Sequence, residues 1–294
     1  PTILCSFGLY LNESLDSFRS LPSSCGGFLR LSRPCVYVFP GGRGDSALVG
    51  VSGYSLLVNG GDQRKSCFWR LVRHLDRLDA VLITHTGADN LPGINGFLQR
   101  KVEELRVQEE LRDQEKNQDW IQNLVSPEVR TFRSLTGSGP VQFRRSAEEA
   151  ALTLRLIERL DLEVMPLTRG PTPEPLVLFS KLGVGRLDMY VLCPDGGSAE
   201  LDFLRHRWTG SGCARGGVRQ PDGTRAQVPV PFLASGAVLL VWTPFEPDQS
   251  PVRVLFPGNA PQSRVLEGLH RLRHLDFLRT PTAAQTKTKV STLR

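Results

Sequence analysis

At 294 residues, 40% hydrophobic and 22% charged, the chain can bury a large core as one α/β domain or two smaller ones, with room left for polar tails. The longest apolar run, 237–242, is far too short to span a bilayer, and six cysteines without C-x-x-C spacing read as reduced thiols rather than a disulfide framework. A net charge of +6 favours an acidic partner only weakly, and the concentration of arginine and lysine beyond Arg253 says more than the total.

Residues 1–27 are polar and serine-rich and read as a lead-in, incomplete in a sequence that opens on Pro1. Regular alternation starts near Phe28, and 35–39, Ala47–Val51 and Tyr54–Val58 predict three short strands separated by glycine turns. The first turn contains Arg43-Gly44-Asp45, which a glycine-rich interstrand loop explains better than an adhesion motif; it also lacks the Gly-Lys-Ser/Thr of a phosphate loop. Phe68, Leu71, Val72, Leu75 and Leu78 lie on one stripe and predict an amphipathic helix over 67–78. The run 80–84 is β-branched and apolar, enough for one buried strand. His85, Thr86, Gly87, Ala88, Asp89 and Asn90 follow as a polar turn. Pro92 then opens a helix in which Ile94, Leu98, Val102 and Leu105 keep helical spacing, and the mixed charges of 101–118 continue it as a solvated surface helix. Trp120, Ile121 and Leu124 return toward the core before Ser126-Pro127 ends the element, and 136–139 is a loop.

Ser146 is the expected cap of a second amphipathic helix, 147–160, with Ala150, Leu154 and Ile157 on its apolar side. After a connection rich in proline (Pro166, Pro171, Pro173, Pro175), 176–179 and 187–192 predict strands joined through Gly183 and Gly185. A short helix over 200–208, a turn at 221–224 between edge strands, and buried strands at 236–243 and Val252–Phe256 follow. The last helix, 262–272, is expected to turn Leu266, Leu269 and Leu272 to the core, with Leu275 beyond it; past Pro281 the composition becomes that of a linker. Arg264, Arg271, Arg273, Arg279, Lys287 and Lys289 outnumber Glu267 and Asp276 here, and form either a binding patch for an acidic partner or a solvated face running into a basic linker. Strands and helices alternate in both halves, which argues for a single α/β sandwich.

A polar cluster at the carboxyl end of a buried strand, just before a helix, is where open α/β folds place ligand chemistry. The stretch from Thr84 to Asn90 resembles the metallo-β-lactamase-fold motif His-x-His-x-Asp-His. His85 and Asp89 match it, whereas Gly87 and Asn90 stand at histidine positions. Glycine has no ligand atom and an amide oxygen is a poor zinc donor, so too few ligands remain for a catalytic zinc, which takes three from the protein. The other motifs agree. Leu57-Val58-Asn59-Gly60-Gly61 occupies the place of Leu-Val-Asp-x-Gly, and Val254-Leu255-Phe256-Pro257-Gly258-Asn259 ends in Asn259 where the fold carries a bridging carboxylate. Asp276-Phe277-Leu278-Arg279-Thr280-Pro281-Thr282-Ala283 stands for Asp-x-Leu-Lys-x-Pro-His-His, and no histidine lies between His85 and His206. The resemblance implies a metallo-β-lactamase-like αβ/βα sandwich whose metal ligands are lost. His85, Gly87, Asp89, Asn90, Asn259 and Thr282 then mark a vestigial cleft, with no catalytic residue, metal or cofactor. His270 and His274, at i and i+4 on the predicted last helix, suit a metal by spacing, but lack an H-E-x-x-H motif and sit among arginines, which favours a solvated pair. His85 beside Asp89 could orient a serine, but there is no Gly-x-Ser-x-Gly elbow.

Longer blocks resemble the amino-terminal heavy-chain region of the microtubule-associated protein 1 family. They are Lys65-Ser66-Cys67-Phe68-Trp69-Arg70-Leu71-Val72-Arg73-His74-Leu75-Asp76-Arg77, the run from Thr84-His85 to Asn90-Leu91-Pro92-Gly93-Ile94-Asn95-Gly96, Gly183-Val184-Gly185-Arg186-Leu187-Asp188-Met189-Tyr190-Val191-Leu192, Arg253-Val254-Leu255-Phe256-Pro257-Gly258-Asn259 and His274-Leu275-Asp276-Phe277-Leu278. The resemblance runs from about Gly26 to Pro281 and fades in 1–25, 130–146 and 210–230. It implies a cytoplasmic, cytoskeletal protein that binds and stabilises microtubules, whose heavy chain associates with its own light chain, with actin as a further partner. On this reading 28–282 is a folded, non-catalytic scaffold, 1–27 its lead-in and 283–294 the start of a basic linker. The alternatives are a residual metallohydrolase and a nucleic-acid-binding module on the basic carboxyl-terminal region; no interleaving of aromatic and basic residues supports the latter. No membrane partner is expected.

Overall fold

The computed structural model describes residues 31, 33–113, 126–134, 144–196, 217–219, 225–227, 235–246 and 249–279. Its strands, in chain order, are β1 (Cys35–Val38), β2 (Ala47–Val51), β3 (Tyr54–Val58), β4 (Arg77–Ile83), β5 (Glu128–Ser134), β6 (Glu163–Pro166), β7 (Leu176–Lys181), β8 (Gly185–Cys193), β9 (Gly217–Arg219), β10 (Arg225–Gln227), β11 (Ala237–Pro244) and β12 (Val252–Phe256). The first six form one sheet in sequential order, antiparallel from β1 to β3 and parallel from β3 to β6. A second, antiparallel sheet runs β12-β11-β8-β7, and among the described residues β9 and β10 pair with each other. The described helices are α1 (Trp69–Val72), α2 (Pro92–Asp113), α3 (Arg144–Arg159), α4 (Gln262–Arg271) and α5 (Asp276–Arg279).

Alternation along the strands sorts the apolar residues into three layers. Val49, Val51, Leu56, Val58, Ala80 and Leu82 of the first sheet face Leu187, Met189, Val238, Leu240 and Trp242 of the second, forming the seam of the sandwich. The opposite face of the first sheet, with Leu48, Leu57, Val81, Ile83 and Phe132, is covered by Phe68, Val72, Ile94, Phe97, Leu98, Leu156 and Ile157 from α1, α2, α3 and the turn before α1. Tyr190, Leu192, Leu239 and Val241 on the outer face of the second sheet meet Val265 and Leu272 of α4 and the turn after it. Each such side chain, once buried, contributes roughly 1.5–3 kcal/mol relative to exposure. The order of layers is helix, sheet, sheet, helix: the αβ/βα sandwich expected from the sequence.

Several elements differ from their expected form. The helix expected over 67–78 shrinks to α1, a single turn, and Leu78 belongs to β4. Parallel pairing pulls the strand start back to Arg77: Asp79 accepts from the Ser55 amide at 2.8 Å, and the Ser55 hydroxyl donates to the Arg77 carbonyl at 2.8 Å. The apolar stripe is still buried, but by a turn followed by a strand. Strands β5 and β6 occupy segments where no strand was expected, between Ser126-Pro127 and the proline-rich connection. Helix α3 starts at Arg144, and Ser146 does not cap it; its Oγ accepts the Ala88 amide at 3.1 Å. Leu154 is only half-buried, and Leu156 and Ile157 carry the contact instead. Strand β12 is an edge with Val252 and Leu255 exposed, not a buried strand. On α4 the core side is Val265 and Gly268, with Leu266 55% exposed, and His274 lies past the helix end, so the two histidines do not share a helix face. The expectations for 1–27, Trp120, Ile121, Leu124, 136–139, 200–208 and 221–224 lie outside the described residues.

Candidate functional site

The parallel pairing of β3 and β4, with Val58 opposite Leu82, sets the residues after the two strands side by side. Asn59 follows β3 with φ 54, a left-handed backbone that asparagine tolerates better than most residues. Its Oδ1 accepts the Thr84 amide at 3.0 Å and the Asn90 Nδ2 at 3.2 Å, and its Nδ2 donates to Thr84 Oγ1 at 3.0 Å. The Thr84 hydroxyl lies 3.0 Å from His85 Nδ1 and 3.3 Å from Asn59 Oδ1. On the other side of the ring, His85 Nε2 donates to Asp89 Oδ2 at 2.9 Å. Asn59, Thr84, His85 and Asp89 thus form one hydrogen-bonded chain, in which the first three are buried (1–2% exposed) and Asp89 reaches the surface. Asn90, fully buried, ties the turn shut: its Nδ2 donates to the His85 carbonyl at 2.6 Å and its Oδ1 accepts the Gly87 amide at 3.1 Å.

Two glycines make the arrangement possible. A side-chain carbon on Gly87 would lie 2.0 Å from Asp89 Oδ1, so the carboxylate fills the space a residue there would need. Gly258, at φ 53, brings the end of β12 against Thr84 and Ser235, and any added carbon would meet both within 3.0 Å. That close approach delivers Asn259. Its amide N–H donates to Ser235 Oγ at 2.7 Å, and its side-chain Nδ2 sits 3.0 Å from His85 Nε2 and 3.4 Å from Asp89 Oδ2. Burial pushes the Asp89 carboxyl upward, but the hydrogen bond and charge of His85, with help from Asn259, outweigh it and hold the group below its ordinary value of 3.8.

These residues do not fit a metal ion. Asn259 presents an N–H donor where the fold's bridging carboxylate would stand, Gly87 offers nothing, and His85 has both ring nitrogens committed. No described group of three or more His, Cys, Asp and Glu is arranged to hold a cation. Thr84, His85 and Asp89 do have the connectivity of a nucleophilic triad. Thr84 is 1% exposed, however, with its oxygen held by Asn59, so a substrate carbonyl has no approach to it. The cleft is a closed polar plug. The structure places His85, Gly87, Asp89, Asn90 and Asn259 side by side, and Thr282 lies outside the described residues. Asn59 belongs with them, and its place after Leu57-Val58 in the first-strand motif was the signal for it. Thr84 and Ser235 carried no comparable signal.

The arginines of α4 are engaged with carboxylates. Glu267 accepts from Arg264 at 3.3 Å and Arg271 at 3.2 Å, and Asp195 accepts from Arg169 at 2.7 Å with Arg271 3.7 Å away. The Arg264 hydrogen bond, with the charges of Arg264, Arg169 and Arg271, holds the Glu267 carboxyl below its ordinary value despite slight desolvation. Arg279 lies 4.0 Å from Asp276, Arg273 is exposed, and Lys287 and Lys289 are outside the described residues. No described helix is long and apolar enough to cross a membrane.

Over residues 17–290 the chain matches the family model described as the MAP1B MBL-like domain. It is 52% identical to human Microtubule-associated protein 1A over 294 residues, covering 96% of this chain and 10% of that protein. Human Microtubule-associated protein 1S is 44% identical over 283 residues (95% of this chain, 24% of that protein), and Drosophila melanogaster Microtubule-associated protein futsch 36% identical over 256 residues. The chain therefore spans about a tenth to a quarter of the length of the first two relatives.

Proposed function

Because this chain belongs to the microtubule-associated protein 1 family, we propose that it forms a non-catalytic scaffold domain of a microtubule-associated protein. In this role it supports microtubule binding and stabilisation and the association of heavy chain with light chain, with actin as a further partner and the cytoplasmic cytoskeleton as its place of work. One observation carries the non-catalytic part: the hydrogen-bond chain from Asn59 through Thr84 and His85 to Asp89, closed by the Asn259 side chain donating to Asp89, fills the cleft with amides and hydroxyls in place of metal ligands. A site that activates water needs an open ligand position and an unspent base, and this cleft has neither.

The microtubule part rests on the names of the relatives and on the charge of the carboxyl-terminal region. Arg264 and Arg271 are half-exposed and shared with Glu267 and Asp195; exposed pairs of this kind are weak, so the arginines remain available to an acidic partner. With Arg273, Arg279, Lys287 and Lys289 they offer diffuse, salt-screened attraction to the acidic tails of tubulin, auxiliary to stronger segments elsewhere in the heavy chain. Co-sedimentation of the chain with microtubules at low and raised salt, and with microtubules whose acidic tails have been cleaved, tests this. Binding that weakens in both cases is the expected result, and binding indifferent to both would refute the electrostatic account. Co-purification with the light chain tests the other half, and failure of the two to associate would remove it.

A further inference from the structure

The segment 64–73 lies along α2, and α2 is shaped to receive it. A side-chain carbon on Gly96 would lie 1.9 Å from the Arg64 carbonyl oxygen, so the two backbones approach there as glycine alone allows. The Ser66 hydroxyl donates to the Gly93 carbonyl at 2.6 Å. Phe68 and Val72 are fully buried, and the Val72 and Arg73 amides close the turn of α1 on the Phe68 and Trp69 carbonyls at 3.0 Å. With the apolar side chains turned in, Lys65, Arg70 and Arg73 are left exposed. Trp69 is half-buried, its ring centre 6.3 Å from that of Phe97, and the exposed Arg100 lays its guanidinium 4.3 Å from the centre of the indole.

These cations have no counter-charges. Elsewhere exposed arginines share carboxylates: Arg43 with Asp62, Arg77 with Asp79, Arg264 and Arg271 with Glu267. Among the described residues, Lys65, Arg70, Arg73 and Arg100 make no ion pair. Glu104, four places after Arg100 on α2, acts on Lys101 instead, while Arg100 is turned onto Trp69. Asp76, the exposed carboxylate three places after Arg73, pairs with none of them. We propose that this surface of α1 and α2 binds a glutamate-rich, unfolded segment of a partner protein.

The chemistry of the surface selects that partner. The cations are exposed rather than gathered in a buried pocket, so they suit a string of separate carboxylates better than a single phosphate group. Each arginine offers a fork of N–H donors that matches a carboxylate with two hydrogen bonds. Arg70 and Arg73, as helical neighbours, stand about 5–6 Å apart at Cβ, near the ~6.6 Å between alternate residues of an extended chain. The Trp69 ring is taken up by Arg100 and Phe97, so it is not the bare stacking platform that single-stranded nucleic acids use. Phe68 and Val72 point inward, so the turn lacks the apolar face with which basic helices enter a bilayer. This surface is separate from the carboxyl-terminal arginines invoked for microtubules, and its test uses a peptide alone.

The test is fluorescence anisotropy of a labelled poly-glutamate peptide titrated with the full chain at low ionic strength. The parent should bind. The variant Lys65→Gln/Arg70→Gln/Arg73→Gln should bind about tenfold more weakly while melting like the parent, the sum of three exposed charge contacts. Charge reversal at one exposed position, Arg73→Glu, should by itself weaken binding in the same direction. Arg264→Gln/Arg271→Gln should leave affinity within about twofold, because those arginines are already shared. No binding by the parent, unchanged affinity in the triple variant and in Arg73→Glu, or an equal loss in Arg264→Gln/Arg271→Gln would overturn the proposal. So would tighter binding of a single-stranded RNA or of phosphatidylserine vesicles, lost in the same triple variant, which would assign the surface to a nucleic acid or a membrane.

Discussion

Asp89 does two things in the cleft: Oδ2 receives the His85 proton, and Oδ1 occupies the space beside Gly87. Replacing it with alanine strips a buried imidazole of its acceptor, so Asp89→Ala should lose about 1–3 kcal/mol of stability in a denaturant titration. The pH dependence has a definite sign. The folded carboxyl is held below its ordinary 3.8, so the stabilisation it supplies is complete above that value and is lost as pH falls through the folded one. The gap in stability between the parent and Asp89→Asn should therefore be widest near neutrality and narrow in acid below the ordinary carboxylate range. A gap that stays constant through that range would mean that ionisation of Asp89 plays no part. His85 and Asp89 were legible in the sequence because they stand in one short motif. Thr84 and Ser235 were not: their roles depend on bonds to Asn59 and Asn259, residues 25 and 24 places away in the chain, which no local pattern encodes.

Between elements, the α2–α3 contact is clamped by polar groups. Asn95, fully buried, donates to the Glu149 carbonyl at 3.0 Å and to its Oε2 at 2.7 Å, while its own Oδ1 accepts from Thr153 at 2.7 Å. Arg64 reaches the other Glu149 oxygen at 3.0 Å. Asn95→Ala leaves a 6% exposed carboxylate short of a donor and should cost about 1–3 kcal/mol by thermal or denaturant unfolding. The ion pairs within α4 are of another kind. Glu267 is 42% exposed, and Glu267→Gln should change stability by about 0.5 kcal/mol or less while strengthening retention on an acidic resin, because Arg264 and Arg271 lose their partner. The contrast follows from burial. Strands β5 and β6 were hidden from a sequence reading for a related reason. In Glu-Val-Arg-Thr-Phe-Arg-Ser only Val129 and Phe132 join the core, an irregular spacing, and β6 is a four-residue edge that ends on Pro166. Parallel pairing, of β5 to β4 and of β6 to β5, makes them strands where propensity does not.

For the whole molecule, the alternation of apolar and polar segments was enough to indicate an α/β sandwich, and the motif resemblance supplied the order of its layers. The described seam between the sheets is packed by apolar side chains from both. What the fold shares with the metallo-β-lactamase-like architecture is the framework: the β3 and β4 ends, the turn after β4 and the Gly258 approach. On the reading proposed above, the amides of Asn59, Asn90 and Asn259 stand there in place of ligands. The most direct measurement of this claim is elemental analysis of the full chain purified without chelator, paired with thermal melting before and after EDTA. The account predicts zinc, iron and manganese far below stoichiometry and an unchanged melting curve. Stoichiometric metal that disappears in His85→Ala and Asp89→Ala, with a lower melting temperature on chelation, would contradict it.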